Sequence, residues 1–89
     1  MKLLHWSYTH NYQIKGIFDS YPDMIIILRS VGDYYFVFTT RGIVSVPSPS
    51  RKEYVEMELL INSELDKLTA YLNRKNKSEV AFINSWIQK

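Results

Sequence analysis

Two histidines, His5 and His10, are the residues of this 89-residue chain best suited to proton transfer. Imidazole is the side chain whose ordinary titration falls between pH 5 and 8. The pair lies five residues apart, an odd spacing that places the two rings on opposite faces of a strand, so they cannot grip one metal ion without a bulge. Further ligands would have to come from Asp19 and Asp23, the nearest acids in sequence. His10 is the catalytic candidate: set in a deep pocket beside Arg29 or a carboxylate, it would serve a small ribonuclease-like enzyme. The remaining nucleophiles and loops do not form known catalytic patterns. Ser7, Ser20, Ser30 and Ser45 lack a Gly-x-Ser-x-Gly elbow, and Gly16, Gly32 and Gly42 are too isolated for a phosphate or dinucleotide loop. With no cysteine there is no thiol, disulfide or thiolate zinc site. The expectation is a protein without cofactor or metal.

Binding chemistry has more material. Seven tyrosines and two tryptophans are many for 89 residues; most are expected in the core and two or three exposed, because such side chains combine a large apolar body with a polar edge that tolerates water. The anchors this predicts are Trp6, Tyr8, Tyr12, Tyr35 and Trp86, joined by Val37 and Thr39 on an open sheet face. The function expected first is a non-enzymatic protein-binding module, a regulator or inhibitor that covers part of a larger protein, with self-association as a homodimer an equally simple use of the same surface. The alternative is nucleic-acid binding through sheet aromatics and the basic residues Arg29, Arg41, Arg74, Lys75 and Lys77. Gly32-Asp33-Tyr34-Tyr35-Phe36-Val37-Phe38 resembles the aromatic strand of an RNA-recognition motif but has Val31 where that motif carries a lysine or arginine. A formal charge of +2, from eleven basic and nine acidic residues, gives no polyanion signature for the whole chain.

These residues must be positioned by elements legible in the pattern. Composition is that of a globular domain, 46% hydrophobic and 22% charged, and one domain spanning 1–89 is expected. MKLLHWSYTH lacks the apolar run of a leader, and Met24 to Leu28 is far too short to cross a bilayer, so a cytoplasmic protein without membrane contact is expected. Leu4, Trp6, Tyr8, His10, Tyr12 and Ile14 fall on alternate positions, predicting a strand over Leu3 to Thr9. Ile14, Ile17, Phe18 and Tyr21 have helical spacing, predicting a short helix that Pro22 ends.

The stretch from Met24 to Val46 then reads as a meander. Met24 to Leu28, rich in β-branched isoleucine and apolar on both sides, predicts a central strand with cover on each face. Tyr34 to Thr40 predicts the next strand, with Tyr34, Phe36 and Phe38 toward the helices and Tyr35, Val37 and Thr39 on the open face. The break between these strands spans Arg29 to Asp33, and Arg41-Gly42 is a second turn before a short strand from Ile43 to Val46.

Pro47-Ser48-Pro49-Ser50, residues 47–50, is a connection that neither helix nor central strand can include. Ser50 and Glu53 form a capping box for a helix running to about Asn73 on the stripe Met57, Ile61, Leu65, Leu68 and Leu72. Asn76 caps a second helix from Lys77 to about Gln88, with Phe82, Ile83 and Trp86 on its apolar side. The order β-α-β-β-β-α-α gives an α+β fold: a small antiparallel sheet of three to four strands covered on one face by C-terminal helices.

Overall fold

The computed structural model describes residues 1–10, 12–42 and 47–74, with backbone alone at His10 and Val31. Four strands come first: β1 (Leu3–His10), β2 (Gln13–Phe18), β3 (Tyr21–Val31) and β4 (Tyr34–Gly42). Two helices, α1 (Arg51–Glu64) and α2 (Leu68–Leu72), follow. The strands form one antiparallel sheet in the order β1-β2-β3-β4. This is the expected α+β arrangement, a small antiparallel sheet packed against C-terminal helices. The expected strand over Ile43 to Val46, the helix from Lys77 and Trp86 lie outside the described residues.

The expected helix between the first two strands is instead β2. Its spacing fits both periods, since Ile14, Gly16 and Phe18 alternate, and these three are buried while Lys15 is exposed. Two strong neighbours decide the matter: β1 and β3 both hydrogen-bond to this segment and satisfy its backbone on each side. Tyr21 and Pro22 then open β3 rather than end a helix.

The β3–β4 hairpin is tighter than expected. Val31 pairs with Tyr34, so the loop is only Gly32-Asp33, with Gly32 at φ +67°, a conformation that glycine adopts without a Cβ clash. This fixes the register of Ser30 with Tyr35, Arg29 with Phe36 and Leu28 with Val37. Beyond Val37 the register slips, and Ile27 pairs with Thr39, leaving Phe38 as the extra residue of a bulge. Nor is Arg41-Gly42 a turn, because both residues complete β4. A Cβ at Gly42 would lie 3.0 Å from both the Asp23 oxygen and Met24 Cα, so here glycine admits the close approach of β3.

Paired residues share a face, and the register therefore reverses the expected sides of β4. Arg29 cannot enter an apolar core unpaired, so its partner Phe36 turns outward with it. Tyr35 and Val37 face the helices: Tyr35 is 6% exposed and packs with Ile14, Leu28, Met57 and Ile61, while Phe38 is 51% exposed. Met24, Ile26 and Leu28 complete the helix-side core. β3 is central as expected, yet its other side has no covering element among the described residues; Ile27 there is buried and Ile25 is 37% exposed.

The capping box forms as expected. The Ser50 hydroxyl accepts from the Glu53 amide at 3.2 Å, and the Glu53 carboxylate accepts from the Ser50 amide at 2.9 Å. The single long helix does not. Asp66 takes φ +60°, its amide donates to Ser63 and the Lys67 amide donates to Asn62, a Schellman stop with aspartate where glycine is usual. The chain restarts as α2, and Tyr71 packs with Val55 and Leu59 in a second cluster that Tyr34 joins.

One polar network joins these parts. β4 is an edge strand, and the outer side of Tyr35 is taken by the fully buried Asn62 of α1. The Asn62 amide oxygen accepts from the Tyr35 amide at 2.8 Å, and its nitrogen donates to the Tyr35 carbonyl at 2.9 Å and to the Glu58 carbonyl at 2.7 Å. Glu58 accepts from the Val37 amide at 2.8 Å and from the Tyr71 hydroxyl at 2.6 Å. Asn62→Ala would strand both peptide groups of Tyr35 in the interior. The expected loss is about 3 kcal/mol of unfolding free energy in urea titration, against about 0.5 kcal/mol or less for an ordinary surface truncation.

Candidate functional site

The structure divides the residues chosen from sequence between two faces. Trp6 and Tyr8 lie on the helix side of β1, where their rings meet edge to face at 5.4 Å. Trp6 is half-buried against the core, and Tyr8 is 63% exposed beyond the reach of α1. Tyr12 projects from the β1–β2 turn at φ +63°, and its carbonyl accepts from the Ser30 amide. Tyr35 and Val37 are not on an open surface, since they form the floor under α1. Thr39 does lie on the helix-free face, as the partner of Ile27. The His10 side chain, Lys75, Lys77 and Trp86 lie outside the described residues.

The helix-free face is built row by row from the sheet register. Ser7, Lys15, Ile27 and Thr39 cross it in one row, Gln13, Arg29 and Phe36 in a second, and Ile25 with Arg41 in a third. Arg29 lays its guanidinium over the Phe38 ring, 4.2 Å from the centroid, a cation–π contact that fixes both side chains. Lys15, Arg29 and Arg41 are exposed and have no carboxylate partner among the described residues. Among the described residues, the strand acid on this side is Asp23, at the start of β3 and two residues before the Ile25 that pairs with Arg41. The result is an aliphatic and phenyl centre with a cationic rim.

Two of these rim residues, Arg29 and Arg41, were chosen from sequence for their charge, but Lys15, Ile25, Ile27 and Phe38 were missed. The missing signal is the two-residue turn. Once Gly32-Asp33 is set as the loop, Arg29 stands opposite Phe36, and a residue that must stay solvated names the outer face for the whole hairpin. Arg74 ends the described chain after α2, where its amide donates to the Tyr71 carbonyl.

Grooves flank α1 on either side. One, about 510 Å³, lies between Val37–Thr40 and the first turns of α1 at Arg51, Tyr54 and Glu58. The other, about 620 Å³, lies between the start of β1 and Leu60, Ser63 and Glu64. Among the described residues no group of three or more histidine, cysteine, aspartate or glutamate side chains could hold a metal ion, and no helix is long and apolar enough to cross a membrane.

Shifted ionisations occur at structural contacts. The Ser50 amide, then the Tyr21 hydroxyl, holds the Glu53 carboxyl below its ordinary value, and the Tyr21 phenol is raised in return by donating to both Glu53 oxygens at 2.8 and 2.9 Å. The Lys2 amide lowers the Asp19 carboxyl, and burial raises the Tyr35 phenol. Of these contacts, the Tyr21–Glu53 hydrogen bonds tie β3 to the first turn of α1.

A family model described as Uncharacterised protein YuzH matches residues 2–76. No curated protein and no solved structure matches the chain.

The Tyr21–Glu53 link gives a pH test. Glu53 has a depressed folded pKa, so its contribution is present above the unfolded carboxylate value and is lost as pH falls through the folded one. Tyr21 has a raised pKa, so its contribution is present below the unfolded phenol value and is lost as pH rises through the folded one. Tyr21→Phe should cost about 1 kcal/mol in urea unfolding at pH 7, and that difference should narrow as pH falls and Glu53 protonates, at a pH below the ordinary carboxylate range. A difference independent of pH would remove the charged acceptor from the explanation.

Proposed function

The chain belongs to the YuzH family, and on the geometry of its sheet we propose that it is a small non-enzymatic protein-binding module, a regulator or inhibitor that covers part of a larger protein with the helix-free face. The observation that carries this reading is the exposure of Phe38 and Ile25, at 51% and 37%, on a face whose backbone is already fully organised by the sheet. A rigid surface loses little conformational entropy on docking, which leaves more of the burial energy as affinity.

The size of the face sets the kind of interaction. Four strands about 4.8 Å apart and some six residues long present roughly 400 Å², about half of what one partner buries in a standard stable interface. That area fits a reversible regulatory contact rather than an obligate one. Phe38 is its natural anchor because it is apolar, exposed and held in place by Arg29.

The nucleic-acid reading is favoured by one observation, the presence of Arg29 and Arg41 on the same face as Phe36 and Phe38. The burial of Tyr35 weighs against it. Affinity recovery from host lysate, with nuclease present, compares the wild-type chain with Phe38→Glu. A protein recovered in stoichiometric amount by the wild type and lost with the variant is the expected result, with variant stability within about 1 kcal/mol because the ring is exposed. Equal recovery by both chains would exclude this face, and loss of every partner on nuclease treatment would turn the reading to nucleic acid.

A further inference from the structure

Building on the protein-binding reading, we infer that the partner presents an acidic amphipathic segment to the helix-free face, its carboxylates meeting Lys15, Arg29 and Arg41 around an apolar strip seated on the exposed Ile25 and Phe38, with the buried Ile27 beneath them. Charge placement carries the inference. Three exposed cations share this face, and none has a carboxylate partner among the described residues. Few acids of the sheet reach this face: Asp19 and Asp33 sit in turns, where Asp19 accepts from the Lys2 amide, and Asp23 lies at the start of β3, two residues before the Ile25 that pairs with Arg41. Glu53 and Glu58 are engaged on the helix side.

The spacing suits a single segment. Lys15 pairs with Ile27 and Arg29 is two residues along β3, so these two cations stand about 8 Å apart across one strand boundary. Arg41, paired with Ile25, closes the opposite end of the apolar strip. An acidic segment crossing the strip can therefore bury apolar side chains at its centre and place carboxylates at both ends, where arginine offers a planar fork of donors. Ordering costs are low at Arg29, whose side chain is already laid over Phe38.

Chemistry separates this partner from a nucleic acid. The Arg29 guanidinium already covers one face of the Phe38 ring, and Ile25 has no π-surface on which a base could stack. Three cations would release about three counterions, a salt slope of only about −2 on a single strand and too little to hold it firmly at physiological salt.

The test is a ¹⁵N NMR titration of the full chain with three synthetic probes: a 16-residue amphipathic peptide of leucine, alanine and glutamate, the same peptide with lysine for glutamate, and a 16-nucleotide oligothymidine. The acidic peptide should move the amides of Lys15, Ile25, Ile27, Arg29, Phe38 and Arg41, and the lysine peptide should not. Charge reversal in Arg29→Glu/Arg41→Glu should weaken the acidic peptide at least about tenfold and create binding of the lysine peptide. The milder Arg29→Gln/Arg41→Gln chain should give the loss without the gain, and it serves if the reversed chain fails to fold. Absence of binding by the acidic peptide, binding indifferent to charge reversal, or preferential binding of oligothymidine would each overturn the inference. The parent reading fails separately: it stands if Phe38→Glu abolishes partner recovery while the arginine variants do not.

Discussion

The edge of β4 is the constraint on which the rest of the molecule depends. A sheet of four strands has two edges, and an unpaired edge buried against a helix would leave peptide groups without partners. Here α1 supplies the missing strand with side chains. Asn62 imitates a peptide group toward Tyr35, Glu58 accepts from Val37, and Tyr71 holds the second Glu58 oxygen. Because Glu58 and Asn62 are four residues apart, one helix face delivers both. That arrangement fixes how α1 lies, which side of β4 becomes interior, and therefore which side of the sheet is left to meet other molecules. No buried side-chain nitrogen or oxygen among the described residues is left without a hydrogen-bond partner, as a low-dielectric network requires.

Much of the fold was legible because some residues have only one good use. Ser50 and Glu53 mark a helix start by chemistry that works nowhere else in the segment, and Pro47 with Pro49 forces the break before it. Isoleucines in succession placed β3 at the centre. Where two periods fit the same residues, local pattern failed. Ile14, Ile17, Phe18 and Tyr21 make an acceptable helix stripe, and only the pairing of β2 with two long neighbours rejects it. The end of α1 was hidden for another reason, since aspartate rather than glycine occupies the left-handed position.

The candidate site was less legible than the fold. Alternation divides Tyr34 to Thr40 into two rows but does not say which row is inside, and a strand with aromatics in both rows gives no hydropathy preference. The deciding residue is on the other strand: Arg29, locked opposite Phe36 by the two-residue loop. The bulge at Phe38 adds what no alternation predicts, placing Phe38 and Thr39 on the outer face in succession. Asn62 had a sequence signal that went unused: with Glu58, it forms a polar pair one helical turn apart in a run flanked by Met57, Leu59 and Ile61. Polar residues spaced that way inside an apolar stripe need an internal partner, and an edge strand is one that a small sheet always has.

The structure thus separates two tasks. Tyrosines and valine of β4 serve packing and the buried network, while phenylalanine, isoleucine and three cations are left on the surface. Native-state amide hydrogen exchange tests the basis of that division most directly, because the Tyr35 and Val37 amides point to the outer edge of β4 and owe their bonds to Asn62 and Glu58 alone. Protection of both amides close to that of the β3 core is the result the account predicts. Rapid exchange at Tyr35 and Val37, like that of an open sheet edge, would contradict it.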